Sequence, residues 1–112
     1  MDRARQFVLW FNEIGIDDIG IVGGKNASLG EMYQNLGKKG VKVPNGFAIT
    51  AFAYQYLLLK SGVADELKRA LKGLNVRNVK ALAEAGRKAR EIMLRCEIPD
   101  DLKDAITTAY AK

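Results

Sequence analysis

The sequence has 112 residues, 48% of them apolar, and no histidine, so it lacks both a phosphohistidine carrier and the commonest acid–base and metal-binding side chain. Eighteen Lys and Arg against thirteen Asp and Glu give a net charge of +5, which suits a polyanionic partner such as a nucleotide or a nucleic acid. The single cysteine, Cys96, excludes an internal disulfide, and the early apolar run FVLWF is too short for a signal-peptide core or a membrane span.

The first predicted element is a buried strand over residues 7–11, because FVLWF is continuously apolar and rich in aromatic and branched side chains. A loop over 12–18 and a short extended piece over 19–22 should follow. Gly23 and Gly24 end that piece, since glycine reaches backbone angles that are closed to other residues.

A helix is predicted next, over about residues 27–36, because large apolar residues recur there at i, i+3, i+4 and i+7. The predicted buried face consists of Leu29, Met32, Tyr33 and Leu36. Asn26 or Ser28 could cap its start, and the segment GKKG over residues 37–40 should end it.

The remaining chain predicts a second short strand over 46–50 and four further helices. Thr50 is a natural N-cap for a helix that stops near Gly62, and a second helix breaks at Gly73. The longest spans about 76–95, and the last begins after Pro99. The apolar stripe of the long helix consists of Val79, Leu82, Gly86, Ala89, Met93 and Cys96.

The predicted fold class is therefore α+β, with a small sheet of two or three short strands and about five helices in one unit, residues 1–112. Such a small sheet leaves its edges unpaired, which indicates that partner strands lie outside these residues.

The segment Gly23-Gly24-Lys25 has the composition of a phosphate contact. Glycines let a phosphate approach the backbone, a following helix N-terminus offers free N–H groups, and lysine adds a mobile positive charge. The spacing matches neither the P-loop nor the GxGxxG motif. A plain turn beside an exposed lysine therefore remains the alternative.

Other candidate sites have simpler explanations. The long helix is rich in arginine and lysine, but Glu84 and Glu91 each precede a cation by four residues, which favours a solvated and partly paired face over a nucleic-acid surface. The acidic pairs at 17–18 and 100–101 lack a metal-loop spacing, so we interpret them as turn or capping residues.

The order of three segments resembles the start of the phosphoenolpyruvate synthases, also called pyruvate, water dikinases. The segments are VLWFNEIGIDDIGIVGGKNASLGEM, VKVPNGFAITAFAYQYLL and IPDDLKDAITTAY, and the sharpest similarities are to the family patterns VGGKGASLGEM and VPPGFAIT. Asn26 stands where the family usually has glycine, and Asn45 where it often has a second proline.

The resemblance implies the N-terminal part of an ATP-grasp-like nucleotide-binding domain, in an enzyme that converts ATP, pyruvate and water to phosphoenolpyruvate, AMP and phosphate. It implies that Lys25 reaches the ATP phosphates, that Gly23 and Gly24 shape the loop beneath it, and that Asn26 belongs to the same nucleotide-binding segment. The Mg²⁺-binding acids and the phosphohistidine would lie in the remaining domains, which complete the enzyme in cis or in trans.

On this interpretation the chain alone is inactive, binds ATP weakly and holds no tightly bound cofactor. The remaining expectations are a cytoplasmic location, with no membrane and no specific nucleic acid as partner. Two alternatives remain: a freestanding basic module that binds anions or nucleic acid, and a subunit that completes an ATP-grasp partner in trans.

Overall fold

The computed structural model describes residues 2–112 and confirms the α+β class, with six α-helices and one two-stranded antiparallel sheet in that range. The strands are β1 (Val8–Trp10) and β2 (Phe47–Ile49). The helices are α1 (Ile19–Val22), α2 (Gly24–Lys38), α3 (Ala51–Ser61), α4 (Ala64–Leu71), α5 (Val79–Leu94) and α6 (Asp100–Tyr110).

The chain divides into two compact units. The first contains the described residues up to Gln55 together with Asp100–Lys112, and the second contains Tyr56–Pro99. The first unit holds both strands, α1, α2 and α6.

The sheet confirms both predicted strands at shorter lengths. Leu9 pairs with Ala48 at its centre, and both side chains are almost fully buried. They join a cluster that consists of Leu9, Ile14, Val22, Ala27 and Ala48, with Phe11 and Ile21 packed against it. Because this core links β1 and β2 to the start of α2, the sheet fixes the position of that helix.

The prediction of an extended piece over 19–22 is wrong, since these residues form the one-turn helix α1. A 3₁₀ turn at Ile16–Asp18 leads into it, and Ile19 already has helical angles, φ −54° and ψ −42°. The N–H of Gly23 donates to the carbonyl oxygen of Ile19 at 2.8 Å, which closes the turn. The branched side chains of this segment favour a strand, but the preceding turn leaves Ile19 with helical backbone angles, so a helix begins there.

Helix α2 begins at Gly24, three residues before the predicted start, and its N-cap is Gly23 rather than Asn26 or Ser28. Its buried residues are Ala27 and Gly30. A Cβ on Gly30 would lie 2.5 Å from the carbonyl oxygen of Ile14, so only glycine allows this close approach.

The predicted apolar face of α2 is therefore not the face that packs. Leu29, Tyr33 and Leu36 are only partly buried, and Met32 is 45% exposed. On a helical wheel they lie roughly opposite Ala27, at about 100° per residue. The helix packs against the core through small residues, and its large apolar residues stay partly or largely exposed.

The predicted end of α2 is confirmed as a Schellman motif. Gly40 has φ +82°, the N–H of Val41 donates to the carbonyl of Leu36 at 3.1 Å, and that of Gly40 donates to Gly37 at 3.2 Å. These bonds satisfy two carbonyls at the helix end.

The predicted cap of α3 is also confirmed. Thr50 Oγ1 accepts the N–H of Ala53 at 3.1 Å and donates to the carbonyl of Gln6 at 2.5 Å, with the residue only 2% exposed. Thr50 therefore caps the helix and ties it to the segment before β1.

In the second unit, Gly62 and Gly73 have positive φ and follow α3 and α4 as predicted. Helix α5 begins at Val79 instead of 76, because the side chain of Asn78 accepts the N–H of Ala81 at 3.1 Å and caps it there.

The packed face of α5 differs from the predicted stripe. Its buried residues are Ala85 and Ile92, whereas Val79 is 77% exposed. Cys96 is partly exposed and its thiol donates to the carbonyl of Ile92 at 3.6 Å. No helix in residues 2–112 is both long and apolar enough to cross a bilayer.

Candidate functional site

The predicted phosphate segment, residues 23–26, lies at the junction of α1 and α2. Val22 on one side is 6% exposed and Ala27 on the other is fully buried, and both belong to the core cluster. Of the four residues between them, Gly23, Gly24 and Lys25 are exposed and Asn26 is partly buried. Packing on both sides therefore fixes the position of this segment, although most of its surface lies in solvent.

Gly23 and Gly24 shape the backbone of this segment. Gly23 has φ +89° and ψ +161°, a conformation that a residue with a side chain rarely adopts. A Cβ placed on either glycine would have no atom within 4 Å, so the space beside them is open. The glycines thus serve the sharp change of direction and leave the backbone accessible.

The first turn of α2 has no side-chain cap. The carbonyl of Gly23 accepts the N–H of Ala27 at 3.0 Å, which is the first bond of the helix. The N–H groups of residues 24–26 therefore have no partner within the helix. Such groups, together with the positive end of the helix dipole, attract an anion.

Lys25 is exposed, in the first turn, and its side chain makes no hydrogen bond or ion pair with the described residues. No acidic residue lies in this turn. Cations are unfavourable at a helix N-terminus, where Asp and Glu are usually found. Lys25 therefore opposes the stability of its own helix, a local conflict that is typical of functional positions.

Asn26 points back toward α1. Its Nδ2 donates to the carbonyl of Val22 at 2.8 Å, which ties the end of α1 to the first turn of α2. No non-glycine residue in the described chain has a positive φ, so asparagine fits here without strain. Asn26 therefore stabilises the junction of α1 and α2 next to Lys25.

Sequence reasoning missed the contacts that hold α2 in place. Glu31 Oε1 accepts the N–H of Ile16 at 2.9 Å, and Gln34 Nε2 donates to the carbonyl of Ile14 at 2.5 Å. Together with Gly30 they attach α2 to the loop that follows β1. The available signal was the spacing of Ala27 and Gly30, two small residues three apart on one face.

A salt bridge secures the same loop. Arg3 Nη2 donates to Asp18 Oδ2 at 2.8 Å and to the carbonyl of Glu13 at 2.5 Å, while Asp18 Oδ2 also accepts the N–H of Gly15 at 2.9 Å. The hydrogen bond from Arg3, then that from Gly15, holds the pKa of Asp18 below its usual value. Asp18 is therefore a turn residue, as predicted, and is ionised at neutral pH.

Two clefts of the first unit lie away from residues 23–26. One of about 440 Å³ is lined by Trp10, Asn12, Glu13, Asn45 and Lys112. Another of about 490 Å³ lies beside the C-terminal half of α2. Because the space beside Gly23 and Gly24 is open, a ligand on the first turn of α2 would remain largely in solvent unless other surfaces enclose it.

The described residues contain no group of three or more His, Cys, Asp or Glu side chains placed to hold a metal ion.

On α5 the charged face is partly paired, in a different pattern from the predicted one. Arg87 contacts both Glu84 and Glu91, and Arg95 contacts Glu66 at 3.0 Å. The hydrogen bond with Glu84 is the main reason that the pKa of Arg87 is raised and that of Glu84 is lowered. These exposed pairs contribute little to stability, but they reduce the positive charge of the face.

Most of this chain matches a known protein family. The family model for the pyruvate phosphate dikinase AMP/ATP-binding domain matches residues 19–112, which include α1, Gly23 and all of α2. The chain is also similar to curated proteins described as phosphoenolpyruvate synthase. The identity is 47% over 108 residues with that of Synechocystis sp., 44% over 112 residues with that of Aquifex aeolicus, and 45% over 105 residues with that of Escherichia coli.

These alignments cover 96%, 100% and 94% of this chain but only 13% of each relative. The chain thus spans about an eighth of the proteins it matches. The predicted resemblance is confirmed, and the chain belongs to the pyruvate phosphate dikinase AMP/ATP-binding domain family, as the N-terminal part of such a domain.

Proposed function

We propose that residues 23–26 contact the phosphates of ATP in an enzyme that converts ATP, pyruvate and water to phosphoenolpyruvate, AMP and phosphate. In this proposal Lys25 is the cationic contact, and the N–H groups in the first turn of α2 are the neutral donors. Gly23 and Gly24 allow close approach of the phosphate, and Asn26 keeps the turn in place.

The observation that carries the proposal is the position of Lys25. A lysine without a partner, at an uncapped helix N-terminus that lacks acidic residues, is unfavourable for folding but complementary to a phosphate. It also lies within the segment that matches an AMP/ATP-binding family. A plain turn explains the glycines but leaves the placement of the cation unexplained.

A single lysine and a few backbone donors leave most of a nucleotide in water, so the chain alone should bind ATP weakly. The remaining domains, in cis or in trans, would supply the opposing ATP-grasp lobe, the Mg²⁺ ligands, the phosphohistidine and the pyruvate site. We place the complete enzyme in the cytoplasm, in pyruvate metabolism and gluconeogenesis.

We do not propose a specific nucleic-acid interface. The glutamates that pair with Arg87 and Arg95 reduce the positive charge of α5, which favours weak association that fades as salt rises. Sequence-selective binding of RNA or DNA at physiological salt would favour the alternative.

The test uses a chimera in which this chain replaces the matched 108 residues of the Synechocystis enzyme. Lys25→Ala should lower AMP formation at least about tenfold, because a charge-assisted hydrogen bond contributes roughly 1.5–3 kcal/mol. Lys25→Arg should restore little activity, since a planar guanidinium does not replace a compact ammonium beside glycines.

The matched control is Lys39→Ala, which removes an exposed lysine at the other end of α2 and should leave the rate nearly unchanged. In the isolated chain, Lys25→Ala should raise the unfolding free energy slightly, by about 0.3–1 kcal/mol, because it removes a cation from the helix N-terminus. Equal rates for the two alanine chimeras would reduce the segment to a turn.

A further inference from the structure

We infer that Glu31 is a positioning residue for the phosphate contact, because its carboxylate holds the turn from which α1 and then Lys25 follow. This role rests on the proposed phosphate contact of residues 23–26 and extends it to a side chain that does not touch the ligand. The contacts that support it all lie within the described part of the first unit.

The core fixes where the phosphate segment lies, but the approach of the chain to it depends on the turn before α1. Helix α1 has only four residues, and the N–H of Gly23 closes it by donating to the carbonyl of Ile19. A single helical turn is not stable in isolation, so its orientation depends on what holds its first residues. Those residues continue without a break from the 3₁₀ turn at Ile16–Asp18. A contact that fixes this turn therefore sets the direction in which the chain reaches Lys25.

Glu31 holds the turn from α2. Its Oε1 accepts the N–H of Ile16 at 2.9 Å, and its Oε2 accepts a hydrogen bond from Asn35 Nδ2 at 2.6 Å, so each oxygen has a partner. Gly15 leaves room for the carboxylate, because a Cβ there would lie 2.9 Å from Oε1. The bond to Ile16 joins residues 15 apart in sequence and closes the span that contains α1 and Lys25. Glu31 thereby sets the distance between the start of α1 and the body of α2.

The neighbouring polar contacts do not duplicate this bond. Asp18 Oδ2 accepts the N–H of Gly15 at 2.9 Å, but Asp18 belongs to the turn and does not tie the turn to α2. Gln34 Nε2 donates to the carbonyl of Ile14, which precedes the turn. In the described chain, the carboxylate of Glu31 is therefore the polar group that links the turn itself to α2.

The effect of Glu31 on a phosphate can be separated from the effect of its charge. Glu31 lies six residues after Lys25, so the two side chains leave α2 roughly 120° apart around the helix and about 9 Å apart along its axis. The hydrogen-bond partners of Glu31 are a backbone N–H and a neutral amide. A negative charge in this helix would by itself weaken the binding of a phosphate. Any gain in phosphate binding therefore arises from the turn that Glu31 holds.

Three substitutions in the 112-residue chain separate position from charge, with the affinity for inorganic triphosphate measured by NMR titration. Glu31→Ala removes the contact with Ile16 and should weaken binding roughly threefold or more. Glu31→Asp keeps the charge but is one methylene shorter, so it should weaken binding as much. Glu31→Gln keeps the length and an acceptor oxygen, and it should restore most of the affinity. The aspartate and glutamine variants decide the question alone if the alanine variant does not fold.

The matched control for stability is Thr50→Ala, which destabilises the same unit without touching the turn. It should leave the affinity for triphosphate unchanged under conditions in which its amide spectrum shows a folded chain. Hydrogen exchange gives a second readout. The amide of Gly23, which closes α1, should exchange roughly tenfold faster in Glu31→Ala than in Thr50→Ala.

The titrations also distinguish failure of this role from failure of the proposed function. If Lys25→Ala weakens triphosphate binding but Glu31→Ala and Glu31→Asp do not, the phosphate contact stands and the positioning role is wrong. If Lys25→Ala has no effect, the phosphate contact itself is wrong, and the role of Glu31 is wrong with it. Stronger binding by both Glu31→Ala and Glu31→Gln would assign the effect to charge, and an equal loss in Thr50→Ala would assign it to general stability. Either result would overturn the positioning role.

Discussion

The contact between α2 and the loop after β1 makes a sharp prediction for Gly30. Alanine there places a Cβ 2.5 Å from both the carbonyl oxygen and Cγ1 of Ile14, almost 1 Å inside the ordinary contact limit of 3.4 Å. The helix must move away from residue 14, which also strains the 2.5 Å hydrogen bond from Gln34. Gly30→Ala should therefore destabilise the first unit.

Gly37→Ala provides the matched control, because Gly37 lies in the same helix and a Cβ there meets no atom within 4 Å. Helix propensity alone favours alanine at both positions by about 1 kcal/mol. Overpacking costs about 1–3 kcal/mol, and a contact with backbone lies at the upper end of that range, so Gly30→Ala should lose about 1–2 kcal/mol net. The melting temperature should fall by roughly 4–10 °C for Gly30→Ala and rise by about 4 °C for Gly37→Ala.

Thermal unfolding of the isolated chain, followed by circular dichroism, measures both changes. Ile14→Ala combined with Gly30→Ala separates the two contacts, since it removes Cγ1 but leaves the carbonyl oxygen. The double variant should not regain the stability of Ile14→Ala alone. Equal stabilisation by alanine at positions 30 and 37 would refute the close approach of α2 to the loop.

Two further predictions concern the polar contacts of the first unit. Because the folded-state pKa of Asp18 is lowered, its stabilising effect is present above about pH 4 and is lost as the pH falls through that pKa, so Asp18→Asn should lower the melting temperature at pH 7 but not at about pH 2. An unchanged difference at both pH values would contradict this. Thr50→Ala should cost about 1–2 kcal/mol by urea denaturation, while Thr50→Ser keeps the hydroxyl and should cost less, so equal losses would argue against the cap.

The strands and most helix boundaries could be predicted because their signals are local. FVLWF has no helical period, Thr50 is a natural cap, and glycines at 40, 62 and 73 take the positive φ that ends a helix. These features depend on a few neighbouring residues. Tertiary packing does not change them.

The packed face of α2 could not be predicted in this way. Periodicity weights large side chains, whereas this helix approaches the loop through Ala27 and Gly30, and the surfaces that its large residues would cover are not within the described chain. The same limitation applies to α1, where a turn stabilised by Asp18 outweighed the strand preference of Ile19 and Ile21. The error in α2 arose where contacts distant in sequence decide the packing, and that in α1 where the preceding turn sets the backbone geometry.

For the candidate site, the sequence singled out residues 23–26 but did not indicate their arrangement. Gly23 is the N-cap of α2, and Asn26 ties the end of α1 to the first turn of α2. Lys25 lies in that first turn, because α2 starts earlier than the hydrophobic periodicity indicated. The unfavourable placement of the cation became visible only once that start was known. The sequence alone therefore did not show that Lys25 opposes the stability of its own helix.

The most direct measurement of the central claim is an NMR titration of the ¹⁵N-labelled chain with ATP to millimolar concentration. The account predicts weak, saturable shifts centred on the amides of Gly24, Lys25 and Asn26, reproduced by inorganic triphosphate and much reduced in Lys25→Ala. Shifts centred on another surface, or shifts unaffected by Lys25→Ala, would contradict the assignment of the α2 N-terminus as the phosphate contact.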